Sequence, residues 1–163
     1  TTGSTLPEAQ RDRFMVRTSM GYPVEAAELA MIAGHTEGNP LDDLEHVTDA
    51  AEIRKLTAIV GQVFVAEAVQ RYTVALTSAT RRTDELVLGA SPRATLHLVR
   101  AATAYAALQG RDYVLPDDVR TLAPRVLTHR LLPSVEASMN GRSTDEILQR
   151  LVATVPVPDG TLG

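Results

Sequence analysis

The chain has 163 residues, 44% of them hydrophobic and 4% aromatic, with no Trp and no Cys. That length fits one domain with an appended fragment, its core must be aliphatic, and disulfides, thiolate metal sites and a cysteine nucleophile are excluded. The net charge of −4 is interspersed with no basic stripe, which speaks against nucleic acid; no apolar run can span a bilayer and no signal peptide opens the chain, so a cytoplasmic location is expected.

The chain does not begin with Met, and Thr1-Thr-Gly-Ser4 reads as a cut or tag scar. Thr5 and Glu8 match a capping box, with Pro7 in the first turn of a short helix ending at Arg11 or Asp12. Residues 14–20 alternate Phe14, Val16, Thr18 and Met20 on one face, which predicts a strand. Gly21-Tyr-Pro23 breaks it. Pro23 opens a helix to about Gly34 with Leu29, Ile32 and Ala33 as its apolar stripe. Residues 35–43 carry loop chemistry.

Further helices follow. Asp49 caps one whose buried face is Ile53, Leu56, Ile59, Val60 and Val63. The next, about 66–82, presents Val69, Tyr72, Leu76 and Ala79. Ser91-Pro92 start the longest, which carries Leu98, Val99, Ala102, Tyr105 and Ala106 and stops at Gly110. Pro116 opens another with Val119, Leu122, Val126 and Leu127 inward, where Pro124 is a candidate kink or break. Ser143 and Glu146 form a second capping box before Ile147, Leu148, Leu151 and Val152. The fold class is therefore mostly α, a helical bundle preceded by a short helix and one strand. A lone strand needs a partner, so its sheet belongs to a neighbouring chain or has been cut away.

Several chemistries find no support. Lys55, the one lysine, sits in Glu52-Ile-Arg-Lys-Leu56 without a glycine loop, so no phosphate loop of the form G-x-x-x-x-G-K is present, and no Schiff-base lysine either. His35, His46, His97 and His129 lack metal-ligand spacing, and His97 reads as a packed or surface histidine. Asp42-Asp43, Asp117-Asp118 and Asp145-Glu146 are helix-start or loop acids. No metal site is expected.

Two arginines stand out. Ser91 as N-cap and Pro92 at the first position put Arg93 in a helical first turn, where a cation loses about 0.3–1 kcal/mol against the macrodipole. An arginine beside free helix N–H groups suits a phosphate. The plain alternative is a solvated arginine or one paired with Asp84 or Glu85. Arg13 lies at the end of the first helix, where a cation is comfortable, and with Arg11 and Arg17 around Asp12 it can equally be charged surface.

The strings Thr5-Leu-Pro-Glu-Ala-Gln-Arg-Asp-Arg-Phe14 and Gly89-Ala-Ser-Pro-Arg-Ala94 resemble the C-terminal part of MoxR-family AAA+ ATPases. So do Gly110-Arg-Asp-Tyr-Val-Leu-Pro-Asp-Asp-Val119 and Val126-Leu-Thr-His-Arg-Leu131, in the same order and spacing. Two departures are Arg11, where the family usually has an apolar residue, and Ser4-Thr5, where a tyrosine often precedes L-P-E. The resemblance implies residues 1–22 as the end of the AAA+ core and 23–163 as its helical lid. It implies Arg13 as the arginine finger, acting in trans, Arg93 with Ser91 as the sensor 2 site, and Tyr22 near the adenine or packed at a hinge. ATP and magnesium would serve the intact protein, with no cofactor and no hydrolysis on this fragment, because the phosphate loop and the magnesium-binding acids would lie upstream. The implied partners are the chain's own N-terminal core, neighbouring subunits of a hexameric ring, and a protein carrying a von Willebrand A-type domain. The implied role is chaperone-like remodelling or maturation of client proteins. A magnesium-chelatase motor subunit and a non-enzymatic helical interaction module are the alternatives.

Overall fold

The structure, a computed structural model, describes residues 7–37, 41 and 44–158. Its contacts divide the chain into two units, one comprising Thr1–Arg17 with Ile59–Gly163, the other Thr18–Ala58. The first unit opens with helix α1, Glu8–Arg11, whose N-cap is Pro7. Thr5, expected to cap it, lies outside the described residues.

Residues 14–20 do not form the expected strand. Among the described residues, no strand pairs with them. Instead the Arg17 amide donates to the Arg125 carbonyl at 2.9 Å, which holds Arg17 to the helical part of its own unit.

The second unit carries α2, Glu25–Glu37, and most of α3, Ala50–Val60. The Asp49 cap forms as expected, its Oδ1 accepting from the Glu52 amide at 2.7 Å. The expected buried face forms only at its end: Ile53 and Leu56 are each about half exposed and Ile59 more so, whereas Val60 is partly buried and Val63 packs against the core of the first unit. On α2, Leu29 and Ile32 are likewise exposed. Among the described residues, no element of this unit covers the apolar side chains of either helix.

The bundle of the first unit contains α4, Glu67–Arg82, strand β1, Leu86–Leu88, and α5, Pro92–Leu108. It continues through α6, Pro116–Leu127, a 3₁₀ turn at Thr128–Arg130, strand β2, Leu132–Pro133, then α7, Val135–Met139, and α8, Thr144–Thr154. Val69, Tyr72, Leu76, Leu98, Ala102, Val119, Val126, Ile147 and Leu148 build one aliphatic core from four helices. Pro124 lies inside α6 without ending it. The second capping box is present, Ser143 Oγ accepting from the Glu146 amide while the Glu146 carboxylate accepts from the Ser143 amide. None of the described helices is long and apolar enough to cross a membrane.

β1 and β2 pair antiparallel, Leu86 opposite Pro133 and Leu88 opposite Leu132. They are too short for alternation to reveal them. The Ser134 amide then donates to the Glu85 carbonyl, closing the pair just before α7.

Three buried threonines on α4 look out of place in an apolar core. Each is satisfied along its own helix: Thr73 to Val69 O, Thr77 to Thr73 O and Thr80 to Thr77 O. They also tie α4 to the next segment. Thr95 donates to Thr77 Oγ1 at 2.9 Å, and the Ala90 amide donates to Thr80 Oγ1 at 2.9 Å. The polar atoms thus set the height of α5 against α4.

Candidate functional site

The loop before α5 is shaped residue by residue. A Cβ on Gly89 would stand 2.6 Å from the Thr80 carbonyl oxygen and 2.8 Å from Arg81 Cα, so only glycine lets this backbone lie on the end of α4. Ala90 is fully buried, and its carbonyl accepts from Arg81 Nη1 at 2.6 Å. Ser91 then caps α5, accepting from the Ala94 amide at 3.2 Å, and Pro92 takes the first helical position. The result is a fixed helix start with Arg93 exposed in its first turn.

Among the described residues, Arg93 has no hydrogen-bond or ion-pair partner. It is paired with neither Asp84 nor Glu85, and the Glu85 carboxylate is engaged by Arg142 and by Arg150 at 2.6 Å. Those two arginines hold the Glu85 carboxyl below its ordinary pKa, the Arg150 hydrogen bond foremost.

Arg13 lies just beyond α1, exposed and equally unpartnered among the described residues. Its turn is brought to the α5 start by the adjacent residue: Ser91 Oγ donates to Asp12 Oδ1 at 2.8 Å. Ser91 therefore serves two groups at once, its lone pair capping α5 and its proton binding Asp12. Tyr22 belongs to the other unit, where its ring is 97% exposed beside Gly21, whose φ is 65°. It does not pack as a hinge aromatic within that unit.

Four residues to which the sequence reading gave no functional role complete the cluster: Asp12, His97, His129 and Arg130. The Arg130 side chain is only 2% exposed. It donates to the carbonyls of Val126 at 3.0 Å and Asp12 at 3.2 Å, to the Phe14 carbonyl, and to His97 Nδ1 at 2.6 Å. Its Nε lies 3.4 Å from the Asp12 carboxylate. Because His97 Nδ1 accepts, its proton belongs on Nε2. His129 Nε2 stands 3.0 Å from the Phe14 carbonyl and must donate to it. No local pattern marked this cluster, because its members lie on segments far apart in the chain.

Both histidines have a pKa below the ordinary value. Burial, and then the Arg130 charge, lower the His97 pKa; burial dominates for His129 as well, against the Phe14 carbonyl that raises it. The folded state therefore binds fewer protons than the unfolded chain below about pH 6.5, the ordinary histidine value. Stability is complete above that pH and falls as the pH drops below it. We expect the melting temperature to decline between pH 7.5 and pH 5.5. His129→Gln should flatten that decline, which pH-dependent thermal melts would measure.

Taken together, the bundle and the capped α5 start define an AAA-type helical lid. The family described as the AAA lid domain matches residues 78–151. The chain is 37% identical over 153 residues to protein YeaC of Bacillus subtilis, covering 94% of this chain and 48% of that protein. It is 35% identical over 162 residues to chaperone MoxR1 of Mycobacterium tuberculosis, covering 94% and 42%. It is 31% identical over 173 residues to protein MoxR of Methylorubrum extorquens, covering 94% and 50%. A crystal structure of a candidate ATPase from Cytophaga hutchinsonii superimposes with a TM-score of 0.84 at 29% identity, over 95% of this chain and 50% of that one. The chain is similar to MoxR proteins of the AAA+ class over 94% of its length and carries an AAA lid domain. It spans about half the length of the curated relatives it matches.

Proposed function

We propose that this chain is the lid-bearing portion of an ATP-hydrolysing ring, in which Arg13 is the arginine finger and Arg93 is sensor 2. Arg13 reaches the terminal phosphate held by a neighbouring subunit and neutralises charge that grows in the transition state. Arg93 contacts the same class of anion from the start of α5 and passes nucleotide state to the lid helices, a hinge-type switch. ATP and magnesium are bound by the intact protein, with the adenine near Tyr22. The parent acts in the cytoplasm as a hexameric chaperone-like machine that remodels or matures clients, with a von Willebrand A-type protein as partner.

One observation carries this reading. The Asp12–Ser91 hydrogen bond joins the turn of Arg13 to the helix start of Arg93, and both guanidinium groups are exposed without a protein partner among the described residues. Arg93 opposes the helix dipole where it stands, so an anion is the group its surroundings fit. Arg93→Ala in the full-length protein should lower kcat about 100-fold by steady-state ATPase assay. An unchanged rate would favour the non-enzymatic helical module.

A further inference from the structure

We propose that Arg130 is a positioning residue that holds the Arg13 turn against the start of α5. The inference rests on the reading of Arg13 as the finger.

The carbonyls on either side of Arg13, those of Asp12 and Phe14, both accept from Arg130 Nη2. The Asp12 carboxylate lies beside Arg130 Nε and also accepts from Ser91 Oγ. His97, on α5, accepts from the same Nη2, and His129 donates to the Phe14 carbonyl. One guanidinium thus binds the backbone flanking the finger and a side chain of the helix that bears Arg93.

Burying this cation is unfavourable in itself, and an apolar residue of similar volume would serve stability as well or better. The turn has no regular structure of its own to fix it, α1 being four residues long and residues 14–20 without strand pairing, so side-chain contacts from Arg130, His129 and Ser91 hold it. The fork of donors meets four acceptors from three segments, a task for which the point charge of lysine is unsuited. Arg130 therefore sets where Arg13 stands relative to Arg93 without touching a nucleotide.

The test uses full-length protein with Arg130→Lys and, separately, Asp12→Ala, which removes the carboxylate beside Arg130 Nε and the acceptor of Ser91 Oγ. Amide exchange across residues 12–17 should quicken about tenfold, with the core amides of α4, α5 and α6 unchanged. In the same samples kcat should fall about 10- to 100-fold and KM for ATP should move less than about twofold. Unaltered exchange in this stretch overturns the proposal, and so does faster exchange with an unaltered kcat. Wild-type behaviour of Arg130→Lys also overturns it, since charge and bulk would then suffice. If Arg130→Lys does not fold, Asp12→Ala decides. A wild-type protein without ATPase activity would instead defeat the finger assignment, and the exchange pattern would then decide by itself whether Arg130 holds the turn.

Discussion

Arg13→Ala in the full-length protein is expected to lower kcat for ATP hydrolysis about 1,000-fold, with KM for ATP changing less than about threefold. The side chain stands exposed past the end of α1, and its loss leaves no buried group unpaired. Folding should therefore be unaffected, and the whole cost should fall on the transition state. A finger acts on the next subunit's nucleotide, so mixing makes the effect diagnostic. Rings assembled from Arg13→Ala subunits and subunits with a disabled phosphate loop should recover part of the activity that neither has alone. A loss of ATP affinity equal to the loss of rate would instead point to a ground-state binding role.

Leu98→Ala is expected to destabilise the bundle by about 3–4 kcal/mol. Leu98 is fully buried at the middle of α5, the helix most extensively packed against α6 and also packed on α4. Truncation removes contacts to both and leaves a cavity that rigid helices cannot close. A domain of this size has about 5–15 kcal/mol in total, so the urea midpoint should drop far while the slope stays constant. Leu96, exposed on the same helix, is the control, and Leu96→Ala should shift stability by less than about 0.5 kcal/mol. Because α5 also carries Arg93, partial unfolding of Leu98→Ala should reduce ATPase activity only in proportion to the unfolded fraction.

Helices with strong periodicity and explicit caps were legible in the sequence. Ser91-Pro92, Pro116 and the Ser143–Glu146 box each start a helix as read. The inward residues of α4 and α6 follow from spacing alone, because the bundle supplies partners for both faces of the core. The same spacing failed on α3, where Ile53, Leu56 and Ile59 are exposed. Periodicity reports that a face wants cover, not that cover is present. The alternation over residues 14–20 failed for a related reason, since a strand is made by a neighbour's backbone rather than by its own side chains.

At the site, the first-turn position of Arg93 was readable because Ser-Pro sets the helix start and a cation there opposes the dipole. Its lack of a carboxylate partner was not. Glu85 is engaged instead by Arg142 and Arg150, residues far along the chain. Arg130 was invisible as a hub for the same reason: its acceptors on Asp12 and Phe14 lie more than 100 residues away. No local pattern encodes a contact of that range.

The most direct measurement is a structure of the full-length assembly with a non-hydrolysable ATP analogue. Arg13 and Arg93 should both place a guanidinium nitrogen within about 3.2 Å of phosphate oxygens of one bound nucleotide. Arg93 pointing into solvent, or lying against a carboxylate with no phosphate oxygen near it in any subunit, would contradict the assignment.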